Sequence, residues 1–273
     1  MSAKSTGYIH SFSAAEQDRL LRQGDTLEPY VFAGIDFASC RTVLEIGCGV
    51  GAQLAILARR WPQLALSGID PAATQLVAAQ AHLRNIGVAA KTQLVRGDGA
   101  RLPFRSGHFD GAFICWVLEH VADPIALLRE VQRVLQTGGV LYVTEVFNSG
   151  LYSDPRGPAL RAYWQAFNDY QRELGGDPDV GNKLAHYAIS AGFARATPIS
   201  ITPQLDARMR ERGERAAFME YWIELFLSAA PALIAASRID QALADAMAAE
   251  MRALIDNPAA VFAYRGFQVR AVK

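Results

Sequence analysis

Between Arg41 and Phe147 short apolar runs alternate with segments of helical spacing, and the alternation repeats five times. No other feature limits the fold as tightly. "TVLEIG" reads as a strand, and "AQLAILARRW" follows with Leu54, Leu57 and Trp61 on one helical stripe. "LALSGID" is a second strand. "PAATQLVAAQAHLRNIG" is a helix with Pro71 in its first turn and Gly87 past its end. "KTQLVRGD" gives a third strand and "FDGAFICWVL" a fourth, apolar enough to be covered on both faces. "DPIALLREVQRVL" is a helix capped by Asp123 and started by Pro124. Gly138 and Gly139 stop it ahead of the fifth strand, "VLYVTEVF". This order predicts an α/β fold, a doubly wound parallel sheet with right-handed crossovers and helices on both faces.

Sheets of this kind bind ligands beyond the carboxyl ends of their strands, at the point where the strand order reverses. The segments after the first four strands therefore carry the functional signal. "VLEIGCGVGAQ" (43–53) is a strand, a loop with glycines at 47, 49 and 51, and a helix start. Glycine permits the tight turn and a close approach of ligand to backbone. Glu45, two residues before the first glycine, suits a cationic ligand better than a pyrophosphate. Asp70 closes the second strand, where a carboxylate accepts ribose hydroxyls. Asp98 closes the third, placed to accept an amino proton from adenine beside the backbone of Gly99 and Ala100. The set fits a positively charged ligand with an adenosine part.

In order and spacing, "VLEIGCGVG", "GIDPA", "GDGARLPF", "FDGAFICWVLEHVADP" and "VLQTGGVLYVTEV" resemble the class I S-adenosylmethionine-dependent methyltransferases of the small-molecule branch, the type 11 methyltransferase domain. The resemblance covers roughly residues 41–147. It implies a Rossmann-like sheet of seven strands, the last antiparallel, with a helical cap in one domain spanning 1–273. The core is expected at about 41–205 plus 261–273, and the cap from 1–40, 148–185 and 206–260. The implied cofactor is S-adenosyl-L-methionine, with Gly47, Cys48 and Gly49 along its methionine part. Asp70 and Pro71 would hold the ribose, Gln75 would lie along the nucleoside, and Asp98, Gly99 and Ala100 would frame the adenine. Glu45, Cys115 and Trp116 complete the expected cofactor site. Tyr8 is the aromatic expected to close over the sulfonium, where a ring face gains cation–π energy.

Glu119 and His120 are adjacent at the end of the fourth strand and leave three readings. Ubiquinone-type O-methyltransferases carry a further acid three positions before their Glu-His, in a cluster associated with a divalent ion; Trp116 stands there in this chain. Hard cations want several oxygen ligands, so no metal is expected. His120 remains a candidate general base, since its unperturbed pKa suits the work. The third reading has the pair tying the strand end to the next helix through hydrogen bonds.

Charge narrows the partners. Lys plus Arg and Asp plus Glu number 27 each, which leaves no net field for nucleic acid or an anionic membrane. The N-terminal stretch has no long apolar run of the signal-peptide kind, and "YWIELFLSAAPALIAA" (221–236) is too short to span a bilayer and contains Glu224 and Pro231. Three cysteines without a CxxC pair fit a reducing, cytoplasmic setting. A small-molecule acceptor follows, taken up by a monomer or homodimer. Aromatic residues outside the core motifs supply its candidate pocket: Phe12, Tyr152, Trp164, Phe167, Tyr221 and Trp222. The competing expectations are an RNA acceptor and a protein that binds the cofactor without catalysis.

Overall fold

The computed structural model describes residues 13–273. Ser13 caps the first helix, α1 (Ala14–Val31), by accepting from the Glu16 amide at 3.2 Å. Pro29 lies inside this helix, and α1 continues to Val31. The alternating segment follows as β1 (Thr42–Ile46), α2 (Ala52–Arg60), β2 (Ala65–Asp70), α3 (Ala73–Asn85) and β3 (Thr92–Arg96). It continues as β4 (Phe109–Cys115), α4 (Pro124–Val134) and β5 (Leu135–Val146). Asp123 caps α4 by accepting from the Ala126 amide at 2.9 Å, with Pro124 at its first position. Pro71 falls just before α3, not within its first turn, because Ala72 is the cap residue.

Beyond β5 come β6 (Tyr152–Asp154), α5 (Pro158–Glu173), α6 (Leu184–Ser190), β7 (Arg195–Ile201) and β8 (Gln204–Leu205). The helices α7 (Arg212–Leu227), α8 (Ala230–Ala235) and α9 (Gln241–Ala253) lead to β9 (Val261–Ala263) and β10 (Gly266–Val272). The main sheet has seven strands in the order β3-β2-β1-β4-β5-β10-β7. β1 to β5 pair in parallel, and β10 runs antiparallel to both β5 and β7. The order reverses between β1 and β4, so their carboxyl ends flank the crevice.

Two features were not expected. A second, three-stranded sheet joins β6, β9 and β8. Tyr264 and Arg265 separate the last two strands, with β9 in the small sheet and β10 in the large one. β4 also ends at Cys115, three residues early. Trp116 turns into the left-handed region at φ 56°, a conformation that costs a non-glycine residue about 1–3 kcal/mol. The turn is held by the Trp116 amide donating to Thr144 O at 2.9 Å, and by Glu145 on β5. Glu145 Oε1 accepts from the amides of Val117 and Leu118 at 2.8 and 2.6 Å.

Packing places the remaining elements around the crevice. A Cβ on Gly24 would lie 3.0 Å from the Ala52 Cβ, so α1 runs tightly against the start of α2. Arg215 is buried in α7 and donates to the carbonyls of Asp206, Met209, Leu254, Ile255 and Asn257, tying α7 to the end of α9. The stretch Arg212–Ala235 is long and apolar enough to cross a bilayer by composition, but half of it is buried inside the fold and it divides into α7 and α8.

Candidate functional site

A cavity of about 640 Å³ opens where β1 and β4 end. Its floor begins with the glycine loop. Gly47, Gly49 and Gly51 all have positive φ, at 70°, 48° and 79°. A Cβ on Gly47 would sit 2.5 Å from Val117 Cγ2, so a side chain there would collide with the strand-four turn. A Cβ on Gly49 would meet nothing within 4 Å, which leaves that backbone open for close approach. Asp70 reaches across from β2: Oδ2 accepts from the Gly49 amide at 2.9 Å and Oδ1 from the Ala72 amide at 2.8 Å. These bonds shape the loop and leave further lone pairs on both oxygens. Burial raises the Asp70 carboxyl above its usual range despite both bonds.

Of the expected cofactor residues, Glu45, Gly47, Cys48, Gly49, Asp70, Pro71, Gln75, Asp98, Ala100, Cys115 and Trp116 stand in the wall of this one cavity. Gly99 does not. A Cβ there would point at Ile46 and Leu127, at 2.9 and 3.0 Å, so it faces the core. Gln75 accepts from Gln17 Nε2 at 2.9 Å, joining α3 to α1. Tyr8 and Phe12 lie outside the described residues. Trp164, Phe167 and Trp222 line the cavity as expected of the aromatic set, whereas Tyr152 is exposed and Tyr221 packs behind the wall. Phe226 and Tyr264 line it as well. The rings of Trp164 and Phe226 stack at 4.5 Å, and those of Trp222 and Tyr264 lie 4.7 Å apart.

Glu119 and His120 take different positions. Glu119 is buried and accepts from Gln171 Nε2 on α5 at 2.7 Å, while its backbone carbonyl accepts from the Asp177 amide at 2.9 Å. His120 Nε2 stands 3.7 Å from Glu119 Oε1, and both residues line the cavity. The Gln171 end of this network continues through Asn148, which donates to Asn168 Oδ1 at 2.7 Å and accepts from the Tyr264 hydroxyl at 2.5 Å. Asp177 takes up Lys183 at 2.5 Å and serves its own loop. Among the described residues no group of three or more His, Cys, Asp or Glu is placed to hold a metal ion.

Unpaired buried polar atoms are rare in folded proteins, and each needs an explanation. Among the described residues five side-chain atoms are buried without a hydrogen-bond partner: Glu45 Oε2, Gln53 Oε1, Glu145 Oε2 and Trp222 Nε1, whose residues all line this cavity, and the Tyr221 hydroxyl behind its wall. Burial, with Asp70 nearby, pushes the Glu45 carboxyl well above the usual range. Burial and the neighbouring Glu119 do the same to Glu145. The Cys115 thiol between them is raised by burial and by Glu145, Glu45 and Glu119. Glu145 was not singled out from sequence, although a single charged residue in "VLYVTEVF" was the signal.

Residues 44–143 match the family described as "Methyltransferase domain". Demethylmenaquinone methyltransferase of Roseiflexus castenholzii is 34% identical over 155 residues, which are 55% of this chain and 61% of that protein. Methyltransferase GfsG of Streptomyces halstedii is 28% identical over 137 residues, 50% of this chain and 49% of that one. The chain thus spans about half the length of the curated relatives it matches. Among solved structures, geranyl diphosphate C-methyltransferase from Streptomyces coelicolor, in complex with Mg2+, geranyl diphosphate and S-adenosyl-L-homocysteine, superposes with a TM-score of 0.54 at 14% identity. That match covers 98% of this chain and 86% of the other, and it is a likeness of fold.

Proposed function

From the premise that residues 44–143 are a methyltransferase domain, we propose that the protein transfers a methyl group from S-adenosyl-L-methionine to a small molecule. The observation that carries this reading is the conjunction of glycine loop, Asp70, Asp98 and the unpaired Glu45 and Gln53 around one cavity. S-adenosylmethionine brings a methyl group already activated on a cationic sulfur. The chain's own work is to bind, align and keep water out. Gly47 and Gly49 supply the backbone that lies against the methionine part. Glu45 Oε2 and Gln53 Oε1 offer acceptors to its ammonium, which ends their isolation. Asp70 takes the ribose hydroxyls, and Asp98 with Ala100 the adenine. Cys115 and Trp116 wall the site where the methyl is exposed.

The acceptor sits under α1, α5, α7 and the small sheet, which we read as the cap, with β9 counted among its elements. Trp164, Phe167, Trp222, Phe226 and Tyr264 make that half of the cavity apolar and aromatic, which favours a small acceptor with an apolar body over RNA or a protein tail. The balanced charge supports the same choice and fits a cytoplasmic enzyme. Incubating the protein with labelled S-adenosylmethionine and extract of its source cells, then resolving products by mass spectrometry, tests the reading. A labelled small molecule is expected. Label on RNA alone, or cofactor binding with no transfer to any component, overturns it.

A further inference from the structure

Six carboxylates line the cavity, and among the described residues Arg19 is the lone Lys or Arg there. Arg19 is already engaged: Glu16 accepts from its Nε and Nη2 at 2.8 and 2.6 Å, and Gln23 from its Nη1 at 2.6 Å. The cofactor reading above accounts for Glu45, Asp70 and Asp98. Asp123 caps α4. Two carboxylates remain on the acceptor side, Glu119 and Glu145, and only Glu119 has a side-chain partner, Gln171.

Glu145 is held so that one oxygen is committed and the other is not. Oε1 takes the amides of Val117 and Leu118. Oε2 is buried with no partner, in a side chain with no exposure to solvent. Among the described residues Glu119 raises this carboxyl further, Cys115 and Tyr264 lie close enough to feel its charge, and none of these is a Lys or Arg; the imidazole of His120 stands by Glu119, 3.7 Å from its Oε1. A buried carboxyl in such company lacks a counter-charge. Across the same cavity stand the stacked rings of Trp164 and Phe226 and the paired rings of Trp222 and Tyr264, whose faces attract cations. Among the described residues an anionic acceptor, such as a phosphate ester or a carboxylate, meets two acids on this side, one imidazole, His120, which stands beside Glu119, and no Lys or Arg other than the engaged Arg19.

We propose that the acceptor is a small amine with an apolar body, bound as its ammonium to Glu145 Oε2 within this aromatic wall, and that Glu145 is the residue that selects it. The proposal rests on the methyl-transfer reading and names its acceptor class. Trp222 Nε1, also unpaired and on a residue that lines the cavity, then donates to a second polar atom of the acceptor when there is one.

The test is binding, read by calorimetry on the whole protein saturated with S-adenosylhomocysteine. The probes are 2-phenylethylamine, 2-phenylethanol and phenylacetate, which share one body and differ in charge. The amine is expected to bind at least about tenfold more tightly than the alcohol, the scale of one charge-assisted hydrogen bond, and phenylacetate more weakly still. In Glu145→Gln the two backbone amides hold the amide oxygen, so its NH2 replaces Oε2 and an acceptor becomes a donor. That variant is expected to lose the preference for amine while S-adenosylhomocysteine affinity stays unchanged. Equal binding of the three probes, preference for phenylacetate, no binding of the amine, or an amine preference that survives in Glu145→Gln overturns the proposal. The wild-type series decides the matter alone if the variant fails to fold. Failure of S-adenosylhomocysteine to bind wild type is a separate result, which would overturn the methyl-transfer reading itself.

Discussion

Glu45 and Glu145 dominate at the scale of single residues, because each is a fully buried carboxyl with one oxygen unpaired. Their raised folded-state values mean that the folded chain holds protons more tightly than the unfolded one. Stability then falls as pH rises past the unfolded carboxyl range near ~4.3. The ligand-free protein should lose Tm between mildly acid and neutral pH, and Glu145→Gln should flatten that slope; parallel slopes in thermal melts would refute it. The adjacent pair Glu119–His120 splits in a second way. Glu119→Ala strands the buried Gln171 Nε2 and should cost about 1–3 kcal/mol in denaturant unfolding. His120 is partly open to the cavity and stands 3.7 Å from Glu119 Oε1, so His120→Ala should cost less than Glu119→Ala in the same unfolding measurement. If His120→Ala also slows methyl transfer with cofactor affinity intact, the imidazole acts as a base; if transfer is unaffected, it does not.

Among the elements, the strand-to-helix turns control the site. β1 ends in glycines because the backbone must turn to φ 70° at Gly47 while Val117 of the strand-four turn crowds it. Gly47→Ala places a methyl 2.5 Å from Val117 Cγ2, beyond what a core absorbs without movement. It should cost about 1–3 kcal/mol and weaken S-adenosylhomocysteine binding by more than about tenfold, measured by melting and calorimetry. This turn was readable from sequence, since Gly-x-Gly-x-Gly after an apolar strand has few other uses. The early end of β4 was not. "FDGAFICWVL" is apolar throughout, and Trp116 leaves the strand because Glu145, distant in sequence, captures the next two amides.

For the molecule as a whole, the helices over the cavity depend on one buried cation. Arg215 satisfies five carbonyls from two separate segments, Asp206–Met209 and Leu254–Asn257. Arg215→Ala leaves those carbonyls buried and unpaired, and should cost about 3–5 kcal/mol, with proteolytic nicking appearing first in 206–260. An unaltered melting temperature and digestion pattern would show that the helices hold without it. Sequence gave no hint of this: in "RERGERAAF" one arginine looks like the next.

The local signals were sufficient for most of what is built from neighbouring residues, although α4 ends at Val134 and β5, from Leu135, takes in Gly138 and Gly139, which had been expected to separate the two. Periodicity, the Asp123 cap and the glycine loop specified the alternating half and pointed to Glu45, Asp70 and Asp98 at adjacent strand ends, because a parallel sheet puts consecutive carboxyl ends on one edge. Tertiary structure decided what depends on distant pairing. The small sheet joins strands of two and three residues that are too short to announce themselves, and they exist only because β9 lies between β6 and β8. Gly99 turned to the core, Tyr221 fell behind the wall, and Glu145 became a buried, half-paired carboxyl. Each outcome was set by which distant side chain filled the space opposite, and no window of local sequence contains that information.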